Sequence, residues 1–151
     1  QARERAAVSK TFTPAELAEA FPLFAGLSPE QREVLVLHFK PHTAAPGDRV
    51  IRAGDPADAL YLVSAGEVEV TIGGKRVNTR KVGEFFGEMA LLSGDPRSAD
   101  VTALDYSRFA RLSGRDFHRF LKRYPEIHTQ IADLAQQRAA DSRNLAEDMQ
   151  G

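Results

Sequence analysis

The stretch Phe85–Ala99 reads FFGEMALLSGDPRSA, and it places one carboxylate and one guanidinium between apolar flanks. The guanidinium belongs to Arg97, a planar and permanently charged fork that suits a phosphate. Residues 87–92 are predicted to form one short helical turn, and the unpaired N–H groups at its start attract an anion. Gly87 lacks a Cβ atom and lets the backbone approach a ligand closely. The stretch therefore predicts an anion-binding site.

The carboxylate of this stretch, Glu88, has a different expected role, because a carboxylate repels an anion. It is suited to accept hydrogen bonds from neutral hydroxyl groups. An anion site beside a hydroxyl acceptor indicates a sugar phosphate as the ligand. The competing interpretation is a helix-to-loop turn with a surface salt bridge between Glu88 and Arg97, since Gly, Glu and Arg are common in loops.

Composition excludes several classes of function. The chain has 151 residues, 42% of them hydrophobic, which suits one domain or one domain with helical extensions. Its net charge of −1 gives no general attraction to nucleic acid or to an anionic membrane. There is no cysteine, and no apolar run approaches the roughly 20 residues of a membrane helix. Because the chain starts at Gln1 rather than methionine, we expect it to be part of a longer protein.

Residues 41–112 have the pattern of short strands separated by turns. Residues 67–72 alternate between polar and apolar side chains, which predicts a half-buried strand, and Gly73-Gly74 marks a hairpin turn. Such a series predicts an α+β chain with an antiparallel β-roll, or jelly-roll barrel. Further strands are predicted at Val50-Ile51, Leu60–Val63, Lys75–Val82, Val101–Leu104 and Phe109–Leu112.

Residues 1–40 are predicted to form an N-terminal helical segment. Thr13 caps one helix start, with a proline in the first helical position. Ser28 marks the next start, and we expect that helix to run through Phe39. The segment is expected to pack against the sheet.

Residues 113–151 are predicted to form C-terminal helices and a frayed tail. Ser113 caps a helix that Pro125 breaks, because the residue before a proline disfavours the helical conformation. The last helix is predicted to begin at Glu126, and the polar residues 141–151 are predicted to fray.

The last predicted helix carries an arginine on its apolar side. Ile127, Ile131, Leu134 and Arg138 are spaced so that they lie along one stripe. The ordinary explanation is an arginine that snorkels at the edge of the packed face.

The segment GEMALLSGDPRSA closely resembles the phosphate-binding cassette of the cyclic nucleotide-binding domain family, and RVIRAGDPADALYLVSAGEVEV resembles the family's first strands. The resemblance covers roughly residues 15–140 and implies the roles of the site residues. The short helix and Arg97 are expected to hold the cyclic phosphate, Glu88 the ribose 2′-hydroxyl, and Arg138 the base, from a helix that closes as a lid. The expected ligand-binding residues are Val70, Gly87, Glu88, Met89, Arg97, Ser98, Ala99 and Arg138.

The resemblance implies cAMP as the ligand, with cGMP as a second candidate. A threonine at the position of Ser98 favours cGMP in the family, and an alanine is typical of cAMP-selective members. Serine keeps the hydroxyl without the methyl group, so we expect both nucleotides to bind, with cAMP equal or somewhat tighter.

Asp100 departs from the family's pattern, which commonly has threonine or serine there. Its carboxylate either repels the bound phosphate or pairs with a nearby basic side chain. We expect pairing, because an unpaired carboxylate would work against the site. The candidate partners are Arg52, Arg108 and Arg111.

The other constellations do not favour an enzyme, a metal site or a nucleic-acid-binding protein. The spacing of the four histidines does not match the metal site of a cupin enzyme, and no nucleophile elbow, P-loop or catalytic dyad is present. A cluster of basic residues on one predicted helix is expected to be a solvated face. The histidines are His38, His42, His118 and His128, and the basic residues are Arg115, Arg119, Lys122 and Arg123.

The family resemblance leads to two functional hypotheses. In the first, the chain is a cytoplasmic ligand sensor that regulates an upstream domain of the same polypeptide, a bacterial channel or transporter in the plasma membrane, with a homo-oligomeric parent. In the second, it is the effector domain of a catabolite-activator-type transcription factor without its DNA-binding part. The predicted helices before the barrel favour the first hypothesis.

Overall fold

The computed structural model describes residues 18–19 and 24–150, and at residues 139 and 141–150 it describes the backbone alone. The predicted helix that starts at Thr13 lies outside the described residues. Within them, two four-stranded antiparallel sheets pack face to face, and helices cover one side. This arrangement confirms the predicted β-roll with flanking helices.

Eight strands form the two sheets in the described part of the chain. One sheet has the order β1-β8-β3-β6 and the other β2-β7-β4-β5, and every pairing is antiparallel. Neither β1 nor the short β6 was predicted. The strands are β1 Lys40–Ala44, β2 Arg49–Ile51, β3 Ala59–Ala65, β4 Glu67–Ile72, β5 Lys75–Lys81, β6 Phe85–Phe86, β7 Asp100–Ala103 and β8 Ser107–Ser113.

Helix α1, Pro29–Val36, starts where the sequence predicted but ends early. Ser28 and Gln31 form a reciprocal capping box at 3.1 and 2.9 Å. The predicted continuation through Phe39 is wrong, because Phe39 turns into the core at 5% exposure and the next residue begins β1. The proline at position 41 also disfavours a helical conformation in the residue before it.

Three more helices follow: α2 Glu88–Ser93, α3 Gly114–Arg123 and α4 Pro125–Gln150. Ser113 caps α3 as predicted and accepts from the Asp116 N–H at 3.2 Å. The backbone of α4 is helical to Gln150, through a segment rich in strong helix formers, and the fraying predicted for residues 141–151 stays a prediction. In the described part of the chain, no helix combines the length and the hydropathy that a membrane span requires.

Strand β3 separates two hydrophobic cores. Leu60 and Leu62 pack into a core shared with the helices, whereas Tyr61 and Val63 pack between the two sheets. Both faces of β3 are therefore buried, which explains its nearly continuous apolar sequence. In the short β6, Phe85 packs into the core shared with the helices and Phe86 packs between the sheets. Both cores therefore fix the segment that leads into α2.

Candidate functional site

A cavity of about 300 Å³ lies between strands β4, β5 and β7, helix α2 and the loop that follows it, and one side chain of α4. Its volume is in the range of small-molecule sites, about 300–1,000 Å³. The structure brings all the predicted ligand-binding residues to its wall, although ligand binding by them stays a prediction. They are Val70, Gly87, Glu88, Met89, Arg97, Ser98, Ala99 and Arg138.

The rest of the wall was not singled out from the sequence. Most of these residues are apolar, and two are polar residues of β5. The additional lining residues are Ile51, Ile72, Val77, Asn78, Arg80, Phe86, Ala90 and Val101.

Gly87 precedes α2 in a conformation that other residues rarely adopt, with φ of +93°. A Cβ atom there would lie 3.0 Å from the Ala59 carbonyl oxygen and 3.1 Å from Nη1 of Arg97. The glycine therefore allows an arginine side chain and a backbone carbonyl to approach closely, and close approach to a ligand stays a prediction.

Arg97 is fixed at one end of the cavity, with its side chain 4% exposed. Its Nη1 donates to the Gly87 carbonyl at 2.7 Å, and its Nη2 donates to the Ala59 carbonyl at 2.8 Å. The backbone is fixed as well, since Gly54 donates to the Arg97 carbonyl and Asp55 accepts from its N–H, both at 2.8 Å. The fork is thus oriented before any ligand arrives.

Asp58 also contacts this guanidinium and was missed by the sequence reasoning. Its Oδ1 lies 3.3 Å from Nη2 of Arg97, and its Oδ2 lies 3.1 Å from Nη2 of Arg111. A guanidinium has five N–H donors, and Arg97 makes three hydrogen bonds with described residues. Two of its N–H donors therefore have no partner among the described residues.

Glu88 is 2% exposed, and its partner is Arg138 of α4. Nη1 of Arg138 donates to Oε1 of Glu88 and, at 2.8 Å, to the Phe85 carbonyl. No described residue donates to Oε2 of Glu88, so this oxygen is available to a hydroxyl group. The interpretation of Glu88 and Arg97 as a surface salt bridge is wrong, because both are buried and neither pairs with the other.

Arg138 does not snorkel to solvent. Its side chain is 12% exposed, and its guanidinium lies over the Phe85 ring, 4.7 Å from the centroid. Helix α4 packs on α2, α3 and β5, which places this arginine on the cavity wall. Its predicted role of capping a base stays a prediction.

Arg80 of β5 is the third arginine on the cavity wall, beside Arg97 and Arg138, and the sequence reasoning missed it. The residue is 8% exposed, and Nη1 donates to the Thr79 carbonyl at 2.9 Å. Its Nε is buried without a partner among the described residues. Burial, and then the positive charge of Arg138, lowers the pKa of the Arg80 side chain.

Asp100 is paired, as expected, although not with any of the partners that the sequence suggested. Its Oδ1 accepts from the Ala53 N–H at 2.8 Å, and its Oδ2 lies 3.9 Å from Nη1 of Arg49. It does not line the cavity. These contacts favour pairing over repulsion of a bound phosphate.

The structure also shows what surrounds the histidines and the basic residues that the sequence analysis considered. His42 of β1 packs beside the rings of Tyr61 and Phe109, with centroids 5.7 and 6.0 Å away, and His38 lies 3.8 Å from Asp116. In the part of the chain that the structure describes, no three His, Cys, Asp or Glu residues are grouped as metal ligands would be. The basic residues predicted to form a solvated face are all exposed: Arg115, Arg119, Lys122 and Arg123.

Known proteins resemble this chain in sequence. A cAMP-dependent protein kinase regulatory subunit from Hypocrea atroviridis is 35% identical over 121 residues, covering 78% of this chain and 26% of the relative. A cyclic nucleotide-gated potassium channel from Mesorhizobium japonicum is 34% identical over 133 residues, covering 87% of this chain and 35% of the relative. The chain thus spans a minor part of the length of these relatives.

This chain also resembles a solved structure, and a family model matches part of its sequence. The Thermus thermophilus catabolite activator protein superposes with a TM-score of 0.71 at 31% identity, covering 85% of this chain and 62% of that one. The family model described as cyclic nucleotide-binding domain matches residues 41–124, which is more than half of the chain. The chain therefore belongs to the cyclic nucleotide-binding domain family, whose domain is a regulatory module and not a catalytic one.

Proposed function

We propose that this domain binds a purine 3′,5′-cyclic nucleotide, cAMP or cGMP, in the cavity between β5 and α2. Arg97 holds the cyclic phosphate through its two remaining N–H donors and through the charge of its guanidinium. Glu88 accepts the ribose 2′-hydroxyl at Oε2. Arg138 lies beside the base as part of the lid formed by α4.

One observation carries this proposal: a buried guanidinium and a buried carboxylate border the same cavity without pairing with each other. Arg97 retains donors for an anion, and Glu88 retains an acceptor for a hydroxyl. A sugar phosphate that presents a hydroxyl near its phosphate satisfies both groups, and a cyclic nucleotide has this arrangement.

We infer further that the domain regulates a membrane channel or transporter in the same polypeptide, on its cytoplasmic side. The channel relative supports this proposal, as does the helix α1 that precedes the barrel. Ligand binding shifts α4 toward the closed position because the closed state offers more contacts to the nucleotide. The parent is proposed to be a homo-oligomer in the plasma membrane.

The second candidate is the ligand-binding domain of a transcription factor. The likeness to the Thermus thermophilus catabolite activator protein favours it. The two candidates require different neighbours in the full-length polypeptide. Membrane-spanning segments before residue 1 support a channel or transporter, whereas a helix-turn-helix after residue 151 supports the transcription factor.

Calorimetric titration of the purified domain with cAMP and with cGMP tests the ligand. We expect saturable one-to-one binding of at least one nucleotide, and 5′-AMP and 5′-GMP should bind far more weakly because they lack the cyclic phosphodiester. The Arg97→Lys variant keeps the charge but loses the planar fork, so its affinity should fall. Equal binding of the 5′-nucleotides, or no binding of either cyclic nucleotide, would refute the proposed ligand.

A further inference from the structure

A groove of about 80 Å³ lies between α1 and α3, and its lining residues differ from those of the cavity described above. Gln31, Val34 and Leu35 line it from α1, and His38 lines it from the turn that follows. These positions are spaced i, i+3, i+4 and i+7, so they lie on one side of the helix and its last turn. One helical face therefore forms this wall of the groove.

Helix α3 forms the opposite wall with a face of the same spacing. Its lining residues are Asp116, Arg119, Phe120 and Arg123. Phe120 belongs to the core shared with the helices, as Leu35 does on the opposite wall, whereas Arg119 and Arg123 are exposed. The groove therefore has an apolar floor, formed by buried side chains of both helices, and two arginines on its α3 rim.

Val34 leaves apolar surface in contact with water beside this floor. Its residue is 53% exposed although it lines the groove, and Leu37 in the following turn is 78% exposed. Covering such surface is favourable by about 25 cal/mol for each Å². The groove is much smaller than a small-molecule site of about 300–1,000 Å³. Its size suits a single inserted side chain rather than a complete small molecule.

The charge beside the groove is positive and is not neutralised by the described residues. Asp116 lines the groove, but its Oδ2 lies 3.8 Å from Nδ1 of His38. In the part of the chain that the structure describes, no carboxylate lies within 4 Å of the four cations of α3. The whole chain has a net charge of −1, so this face is a local excess of positive charge. The four cations are Arg115, Arg119, Lys122 and Arg123.

We propose that the groove between α1 and α3 docks an acidic segment of a protein partner, which inserts one large apolar side chain beside Val34. Carboxylates of the segment pair with Arg119 and Arg123, because the planar fork of an arginine binds a carboxylate through two parallel hydrogen bonds. An apolar anchor in a recess with charged pairs at its rim is the usual division of roles in a protein interface.

The concave shape of the groove favours a peptide over an anionic membrane. A helix that lies on a membrane presents a protruding apolar face, which enters the boundary between headgroups and acyl chains. Here Leu35 and Phe120 are buried in the floor, below the exposed Arg119 and Arg123. An inserted side chain can reach this floor, whereas a flat surface would meet the arginines first.

The first test uses a random peptide library displayed on phage and selected against the purified domain. We expect the selected peptides to share aspartate or glutamate residues around one large apolar residue. Selection on the groove variant, Arg119→Glu with Arg123→Glu, should not return this motif. The matched control is Arg115→Glu with Lys122→Glu, which makes the same change of charge on the same helix at positions that do not line the groove. The control should return the motif.

The second test titrates a fluorescent synthetic peptide of the selected sequence by anisotropy. The groove variant should weaken its binding by at least about tenfold, because like charges then face each other, and the control should stay within about twofold. Val34→Ser should also weaken binding, since it removes apolar contact without changing charge. In the wild type, affinity should fall as salt rises from about 0.1 M to about 1 M, where the screening length drops from roughly 10 Å to 3 Å. Circular dichroism checks that each variant is folded.

Several outcomes would overturn the proposal. One is a selection that returns no acidic motif with an apolar residue, and another is a motif whose binding survives in the groove variant. Equal weakening in the groove variant and the control would indicate general attraction to the basic helix. Two further measurements test other occupants. Binding to phosphatidylserine vesicles that both double variants abolish would assign the basic face to a membrane, and a dimer in sedimentation that Val34→Ser dissociates would assign the groove to a second copy of this chain.

Discussion

Arg138 of α4 donates a hydrogen bond to Oε1 of Glu88 in α2, so one buried ion pair joins the last helix to the cavity wall. The two side chains are 12% and 2% exposed. Removing the arginine leaves a buried carboxylate without its cation. We expect Arg138→Met to lower the free energy of unfolding by up to about 3–5 kcal/mol, measured by urea denaturation.

A double-mutant cycle separates this pair from general packing effects. Glu88→Gln removes the charge of the other partner, and the double variant with Arg138→Met should be more stable than the sum of the single effects predicts. Additive effects would show that the two side chains do not act as a pair.

Glu88 should distinguish a ribose from a 2′-deoxyribose. Its Oε1 is bonded to Arg138, and Oε2 remains for the 2′-hydroxyl. We expect 2′-deoxy-cGMP and 2′-deoxy-cAMP to bind the wild type more weakly than their ribose forms by about 1–3 kcal/mol, because a buried acceptor loses its partner. In Glu88→Ala, calorimetry should find the two forms nearly equal, and an unchanged preference would assign the hydroxyl to another residue.

Arg97→Ala should weaken nucleotide binding by about 2–5 kcal/mol, because it removes a buried charge partner of the phosphate. Because Arg97 lies in a loop, the fold would be expected to tolerate its removal. Its hydrogen bonds in the structure predict that stability is lost as well. Two backbone carbonyls, at Gly87 and Ala59, lose their donor, at a cost of about 1–3 kcal/mol each where water does not replace it. Binding is measured by calorimetry and stability by thermal unfolding.

Arg108→Ala is the control for that variant, since Arg108 is exposed on β8 and does not line the cavity. It should leave both affinity and stability nearly unchanged. An Arg97→Ala variant that binds as well as the wild type would refute the phosphate assignment.

Asp100→Asn should leave nucleotide affinity unchanged at low and at high salt. The carboxylate accepts from the Ala53 N–H and lies near Arg49, and the amide oxygen of asparagine can keep the first contact. The pair with Arg49 is half exposed, so its loss should lower the free energy of unfolding by less than about 1 kcal/mol. Tighter binding at low salt would instead indicate repulsion between Asp100 and the phosphate.

His42 should make stability depend on pH. Burial, and then the charge of Arg111, lowers the pKa of His42 below 6.5, while Asp58 acts in the opposite direction. Because the unfolded state then binds the proton more tightly, this contribution to stability is complete above pH 6.5 and is lost as the pH falls toward the folded pKa. In His42→Phe, urea denaturation between about pH 7.5 and 5.5 should show a smaller loss than in the wild type. An equal loss in both proteins would assign the dependence to other groups.

The cassette and the helix starts were predictable because they depend on local chemistry. Gly87 before a short helix, Ser28 and Ser113 as caps, and the alternation in 67–72 act within a few residues of the chain. The same holds for the apolar stripe that placed Arg138 on the packed side of its helix. In each case the physical cause, a hydrogen bond to a neighbouring N–H or a repeating face, is contained in the local sequence.

The partners of the charged residues were decided by the tertiary structure. Arg138 meets Glu88 across 50 residues of sequence and Asp58 meets Arg97 across 39, so no spacing rule connects them. Asp100 likewise took Arg49 and the Ala53 N–H rather than any of the arginines that the sequence suggested. These pairs form where separate elements happen to pack, and packing depends on both cores together.

The orientation of Arg80 shows the same limit within a single strand. Strict alternation on β5 would place Arg76, Asn78 and Arg80 on one face. The register between β4 and β5 shifts between Val70 and Thr71. Arg76 therefore forms a salt bridge with Glu69, while Asn78 and Arg80 line the cavity. The sequence by itself determined the strand and its turn, but a one-residue irregularity in pairing decided which side chains line the cavity, because each such shift exchanges the two faces of a strand.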